Sequence, residues 1–157
     1  MNRNRYRSTS VCLTDIADVD RAKKGKIYPV GTIYVQVSAT PKYTDEIWNI
    51  LKQSDELPEK YAVIIPKIEL IPAYLVLALT RNTAEWQARY IGDAINISMD
   101  LFKELKIIYH PEIQAQAEIL QKISIVDKAI EFENQQAQLN KEAKSFFLQK
   151  MFPGGGE

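Results

Sequence analysis

The basic side chains of this chain are concentrated near its N-terminus, where they could bind phosphate groups. Residues 1–40 carry seven basic and three acidic side chains, whereas residues 41–110 carry eight and ten, and residues 111–157 carry five and seven. Lys23, Lys24 and Lys26 form the densest basic group. A phosphate-binding face can be built from such a cluster even when the whole protein has zero net charge. The alternative interpretation of each lysine is an ordinary solvated surface charge.

The sequence supplies no recognisable catalytic group. It contains one cysteine, Cys12, and one histidine, His110, and they lie far apart along the chain. Three of the six glycines fall at the C-terminus, so no glycine-rich phosphate loop is present. Nothing brings together a nucleophile, a base and an orienting group, or a set of metal ligands. We therefore expect no catalytic residues, no metal and no cofactor, and a protein that binds or scaffolds rather than an enzyme.

Short elements are predicted to position the basic residues within an N-terminal domain. Residues 33–38 and 61–66 are rich in β-branched and aromatic residues, which favours strands. Residues 45–51 are a candidate helix around Trp48. The remaining predictions are a helix over 15–19 capped by Thr14, a helix over 72–79, a helix over 100–105 capped by Ser98, and a strand over 106–109.

The last third of the chain predicts one long helix, because no glycine or proline interrupts residues 112–151. At 1.5 Å per residue it would be roughly 60 Å long, far above the usual helix length of a globular domain. Two apolar stripes follow the alternating four-and-three spacing of a coiled coil. Stripe 1 comprises Ile119, Ile123, Val126, Ile130, Glu133, Ala137, Asn140, Lys144, Phe147 and Met151. Stripe 2 comprises Ile125, Ala129, Phe132, Gln136, Leu139, Ala143 and Phe146.

Such a helix needs a partner, and packing against its own domain is the less favoured alternative because of its length. The residues expected at a dimer interface are Ile119, Ile123, Val126, Ile130, Phe132, Ala137, Leu139 and Phe147.

Length and composition agree with one domain and an appended helix. The chain has 157 residues, 46% of them hydrophobic and 25% charged. No apolar run reaches the ~18 residues of a membrane span, and the basic start leads into no signal-peptide stretch. A single cysteine excludes an internal disulfide and is typical of a cytoplasmic protein. We predict an α+β fold, with a small mixed α/β domain over 1–110, a long coiled-coil helix over 111–152 and a flexible tail over 153–157.

The order of several segments resembles the specificity subunit of type I restriction-modification systems. The resemblance rests on Leu13-Thr-Asp-Ile-Ala-Asp-Val, Gly25-Lys, Gly31-Thr-Ile-Tyr-Val-Gln-Val-Ser, Ile71-Pro-Ala-Tyr-Leu-Val-Leu-Ala-Leu, the stretch 91–120, and Ile125-Val-Asp-Lys-Ala-Ile. In that family a target-recognition domain ends with a short helix, a strand, a proline and a glutamine at the start of a long helix. The matching pieces here are 99–105, 106–109, Pro111 and Gln116.

The resemblance implies a half-subunit, because the family's full subunit has two recognition domains and two long helices that pair antiparallel. Two copies of this chain would rebuild that arrangement as a homodimer and read an inverted-repeat target in double-stranded DNA. The family's partners are a methyltransferase subunit, which docks partly on the long helices, and a restriction subunit. Those partners carry out methylation and cleavage, so this chain would be non-catalytic.

The expected DNA contacts divide into those that neutralise phosphates and those that read bases. The phosphate candidates are Lys23, Lys24 and Lys26, with Arg81 and Arg89 as a second patch. The base-reading candidates, after the strand over 33–38, are Gln36, Ser38, Thr40, Lys42 and Tyr43. The region between Ser38 and Tyr61 is short for a recognition domain. The alternative function is a specificity-like scaffold or competitor that keeps the helix but does not read DNA.

Overall fold

The computed structural model describes residues 6–38, 48–82 and 98–154, which form two compact units, 1–118 and 119–157. The helices are α1 (Leu13–Ile16), α2 (Pro72–Asn82), α3 (Met99–Glu104) and α4 (Ile113–Met151). The strands are β1 (Thr9–Cys12), β2 (Ala17–Arg21), β3 (Ile27–Tyr28), β4 (Ile33–Gln36), β5 (Asn49–Ile50), β6 (Asp55–Glu56), β7 (Tyr61–Pro66) and β8 (Lys106–Tyr109). The predicted α+β class, a small mixed domain followed by a long C-terminal helix, is confirmed.

A four-stranded antiparallel sheet forms the centre of the first unit, with the order β2-β7-β4-β5. The register pairs Arg21 with Ala62 and Gln36 with Tyr61, so the ends of β2 and β4 lie at the same end of the sheet as the start of β7. Two antiparallel ribbons, β1-β8 and β3-β6, complete the strand pairing of the described residues. The β2–β3 loop, which carries the three lysines, therefore begins at the same end of the sheet as the end of β4, with β7 between them.

Both faces of the central sheet are covered by apolar side chains. On one face Ile33, Val35, Ala62 and Ile64 are almost completely buried, as alternation along β4 and β7 requires. On the other face Val63 belongs to a second cluster, which the β3-β6 ribbon helps to form. That cluster comprises Ala22, Tyr28, Leu51, Leu57 and Val63, with Tyr34, Tyr61 and Ile65 packed against it. The second cluster fixes the base of the lysine-bearing loop, because Ala22 and Tyr28 flank it.

The turn that leads into β4 depends on a glycine. Gly31 has a φ of +88°, and a Cβ at this position would lie 3.2 Å from Cγ of Pro72. Any larger residue would be strained by the backbone conformation and would crowd the first turn of α2. The Thr32 hydroxyl closes the turn by donating a hydrogen bond to the carbonyl of Pro29 at 2.7 Å.

Two predictions of secondary structure are wrong. The first helix covers Leu13–Ile16 rather than 15–19, and its N-cap is Cys12, whose backbone N–H donates to the Asp15 carboxylate at 3.1 Å. Ala17–Arg21 is a strand, because Ala17 and Val19 are buried while Asp18 and Asp20 face solvent. The candidate helix around Trp48 is absent from the described residues 48–51, where Asn49–Ile50 pairs with β4 instead.

The long helix α4 runs without interruption over Ile113–Met151, 39 residues. Its first turns contain the buried residues Ala115 and Gln116, and every residue from Gln121 to Met151 is exposed. None of the helices in the described parts of the chain has the length and apolar character that crossing a membrane would require.

Candidate nucleic-acid interface

The three predicted phosphate-binding lysines lie on one tight turn between β2 and β3, the lysine turn (Lys23 to Lys26). The Lys26 N–H donates to the Lys23 carbonyl at 3.2 Å, and Gly25 supplies the φ of +78° that the third position of the turn needs. Tyr28 contacts the turn in two ways. Its hydroxyl accepts a hydrogen bond from the Lys23 N–H at 2.8 Å, and Lys26 Nζ lies 5.2 Å from the centroid of its ring. Because Tyr28 is buried, the turn is held on a fixed support while its lysines face solvent.

Acidic groups offset part of this positive charge. Lys23 Nζ lies 3.2 Å from a carboxylate oxygen of Asp20. The pKa of Asp20 is lowered, first by the hydrogen bond it accepts from the Arg21 backbone N–H and then by its contact with Lys23. Lys24 lines an open depression together with the acidic residues Glu56 and Glu59. The turn is thus a mixed-charge surface in which Lys23 is already paired.

Arg21, which the sequence analysis did not single out, ties the end of β2 to the end of β4. Its Nε donates to the Glu59 carbonyl at 2.7 Å, and its Nη2 donates to the Ser38 hydroxyl. Gln36, the last residue of β4, donates from its side-chain amide to the Ser38 carbonyl at 2.9 Å. Two of the predicted base-reading side chains are therefore already hydrogen-bonded within the domain. The Arg21 contact links one of them, Ser38, to the end of β2, two residues before Lys23.

Among the other predicted DNA contacts, Arg81 falls in the described part of the chain and does not belong to this group. Arg81 is exposed in the last turn of α2, a separate element. Thr40, Lys42, Tyr43 and Arg89 lie outside the described residues. Within the parts of the chain that are described, no three His, Cys, Asp or Glu side chains come together as metal ligands.

The start of α4 is anchored by a completely buried glutamine. The Gln116 side chain donates to the His110 carbonyl at 2.7 Å and accepts from the Ile71 N–H at 3.0 Å. An amide has one donor end and one acceptor end, so it matches a carbonyl on one side and an N–H on the other. Gln116 thereby joins the first turns of α4 to the residue before α2 and to the residue after β8.

Tyr74 on α2 reinforces the same junction. Its hydroxyl accepts from the His110 backbone N–H at 2.9 Å and is hydrogen-bonded to His110 Nδ1 at 2.6 Å. Burial raises the pKa of Tyr74 above its ordinary value, because the charged phenolate would lose its hydration. The histidine thus has a structural partner, and its place in the fold is that of a junction residue.

The residues expected at a dimer interface all lie on α4, and most of them are strongly exposed. Exposed fractions are 39% for Ile123, 51% for Ile130, 61% for Phe132, 56% for Leu139 and 61% for Phe147. Exposed apolar side chains in this number are uncommon on a helix that functions without a partner. Ile119 is partly buried, and Val126 and Ala137 are exposed.

Solved structures of type I restriction-modification proteins share this architecture. The S subunit from M. genitalium matches 99% of this chain with a TM-score of 0.61 and 17% identity. The HsdS subunit from Thermoanaerobacter tengcongensis matches 90% with a TM-score of 0.64 and 11% identity. The fold is that of type I S subunits. A chain from a structure addressing complex assembly and conformational transition of the type I R-M system matches 92%, with a TM-score of 0.67 and 14% identity.

The chain spans about half the length of the three matched chains, at 48%, 44% and 44% of them. No protein-family model matches the sequence, and no curated protein is similar to it in sequence. The likeness therefore resides in the fold rather than in overall sequence identity.

Proposed function

We propose that this chain is a non-catalytic DNA-recognition half-subunit of a type I restriction-modification system. Residues 1–110 would form its recognition domain and residues 111–152 its spacer and dimerisation helix. The observation that carries the proposal is an S-subunit fold that ends in a helix whose apolar side chains are uncovered. In this role the chain would act in the cytoplasm, bind double-stranded DNA and dock a methyltransferase subunit, with a restriction subunit as a further partner.

The exposed helix supports homodimerisation, and the molecular mass tests it. We expect purified protein to form a dimer with twice the 18.0 kDa mass of the chain. Burying the apolar side chains of α4 between two copies supplies the driving force, at about 1.5–3 kcal/mol for each large side chain. Light scattering coupled to size exclusion at micromolar concentration measures this mass. A monomer under these conditions, without any partner present, would contradict the self-pairing.

DNA binding would use the end of the central sheet at which the lysine turn follows β2 and at which β4 ends. Lys23, Lys24 and Lys26 would contact phosphates, while Gln36 and Ser38 would lie nearest to the bases. Arg21 would hold Ser38 in place, because it already donates a hydrogen bond to that side chain. A protein that contacts phosphates releases counterions, so its affinity falls steeply with salt.

Charge reversal of the lysine turn tests this DNA face. We expect replacement of Lys23, Lys24 and Lys26 by Glu to weaken binding to all duplexes alike. Each lost phosphate contact should flatten the plot of log affinity against log salt by about 0.9. The measurement is a salt titration by fluorescence anisotropy on the complex with the methyltransferase subunit.

The matched control reverses Lys52, Lys67 and Lys106, which are three exposed lysines elsewhere in the same unit. It makes the same change in net charge away from the lysine turn. An equal loss of affinity in both triple variants would mean that overall charge, and not this turn, governs binding.

The second candidate function is a specificity-like scaffold or competitor that keeps the helical assembly surface without reading DNA. It is favoured by the internal pairing of the expected contact residues: Lys23 with Asp20, and Gln36 with the carbonyl of Ser38. The two functions differ in the same salt titration. A complex whose DNA affinity and salt dependence are unchanged by reversal of the lysine turn would favour the scaffold.

A further inference from the structure

The long helix carries two apolar stripes that a single partner helix cannot cover. Each member of stripe 2 from Ile125 to Phe146 comes one residue before a member of stripe 1. With 3.6 residues per turn, one residue corresponds to about 100° around the helix axis. A coiled-coil partner covers one narrow seam of a helix, so the two stripes need different occupants.

Stripe 1 is poorly suited to self-pairing because its centre is charged. Glu133 and Lys144 are exposed members of this stripe, and Asn140 lies between them. An antiparallel pair centred on Ala137 would bring Lys144 of one copy opposite Ile130 of the other. Burying the Lys144 ammonium group against an aliphatic side chain is unfavourable, because the charged group loses its hydration.

The order of large, small and polar side chains along stripe 2 is the same from either end. Its order is Ile125, Ala129, Phe132, Gln136, Leu139, Ala143, Phe146, which is large, small, large, polar, large, small, large. The four large side chains are between 53% and 61% exposed. A two-fold symmetric interface presents the same surface on both copies and must be complementary to itself. A stripe that is symmetric about its own midpoint meets this requirement in an antiparallel pair.

We infer that the occupant of stripe 2 is a second copy of this chain, antiparallel, with Gln136 of both copies at the two-fold axis. This inference rests on the proposed homodimer and places its seam on stripe 2, so that of the residues expected at the dimer interface only Phe132 and Leu139 remain in the seam. The two Gln136 side chains would hydrogen-bond to each other across the axis, since each amide offers a donor and an acceptor. A polar residue at a single core position fixes the register of a coiled coil at some cost in stability.

The alanines of stripe 2 fit the same arrangement. Ala129 lies seven residues before Gln136 and Ala143 lies seven residues after it, so they face each other across the antiparallel pair and let the two helices approach closely.

Disulfide trapping in the full-length chain tests the seam. Cys12 is half-buried and free, so it is first replaced by Ser. We expect Gln136→Cys to oxidise to a covalent dimer, because the two copies meet at the axis within the ~3.5–4.5 Å Cβ separation of a disulfide. We expect Ala129→Cys alone to stay reduced, and an equimolar mixture of Ala129→Cys and Ala143→Cys proteins to cross-link.

Ala137→Cys is the matched control, since it lies next to Gln136 but at the centre of stripe 1. Faster cross-linking at Ala137→Cys than at Gln136→Cys would overturn the assignment to stripe 2 while leaving the homodimer intact. Cross-linking of Ala129→Cys by itself would indicate parallel helices and would also overturn it. A wild-type chain that is monomeric by light scattering would instead defeat the homodimer on which the inference rests.

Discussion

Replacing Gln116 by Leu is expected to lower the free energy of unfolding of the first unit by about 2–4 kcal/mol. Leucine fills a similar volume but offers no polar atom. The Ile71 N–H and the His110 carbonyl, which Gln116 now satisfies, would lose their partner at a buried junction. Urea unfolding followed by tryptophan fluorescence measures the loss, because Trp48 is buried against Phe102 in the same unit.

Gln114→Leu is the matched control, two residues earlier on the same helix. Gln114 is exposed, and its amide lies 3.3 Å from the Glu118 carboxylate within the helix. A substitution at such a surface site usually changes stability by no more than about 0.5 kcal/mol. Equal destabilisation of the two variants would show that the junction does not depend on the buried amide.

The elements that the sequence predicts best are those whose signal is local. The strand over Tyr61–Pro66 and the strand over Lys106–Tyr109 have the predicted bounds, because their β-branched and aromatic residues favour extended structure by themselves. The long helix is equally evident from the absence of proline and glycine, and the structure begins it at Ile113. The Ser98 cap of α3 is also confirmed, since the Ser98 hydroxyl accepts from the Asp100 N–H.

The elements that the sequence misses are held by partners far away along the chain. Ala17–Arg21 has acids that resemble a helix start, yet it pairs with β7 along its whole length. Asp55–Glu56 has no strand propensity and is extended because it pairs with β3. In both segments pairing with a distant strand overrides the local conformational preference, so the residues of the segment alone do not predict the strand.

The residues of the candidate site also fall into those with a local signal and those held by distant partners. Counting charges along the sequence identifies the lysine turn, because residues this close in the sequence lie on one loop. The contacts of Arg21 with Ser38 and Glu59 join three separate segments, so counting charges could not identify Arg21. Gln116 enters the sequence analysis only through the family resemblance, since its two partners lie outside its own helix.

The second large effect is expected at the proposed dimer seam. We expect the double variant Phe132→Asp with Leu139→Asp to be monomeric, because both positions lie next to the two-fold axis of stripe 2. The dimer would lose four large apolar contacts, on the order of 6 kcal/mol or more in total. At 1.4 kcal/mol per tenfold change, the dimer dissociation constant should rise by roughly 10⁴-fold or more. Analytical ultracentrifugation across a concentration series measures the change.

Two double variants with the same seven-residue spacing separate this effect from added charge on the helix. Gln138→Asp with Ser145→Asp introduces two carboxylates outside both stripes, and we expect it to remain dimeric. Ile123→Asp with Ile130→Asp alters stripe 1, and we expect it to remain dimeric while losing any partner that covers that stripe. All three variants should keep a folded first unit, because every substituted residue is exposed on α4. If the stripe 1 variant dissociates and the stripe 2 variant does not, self-association uses stripe 1, where Lys144 would have to be buried beside Ile130.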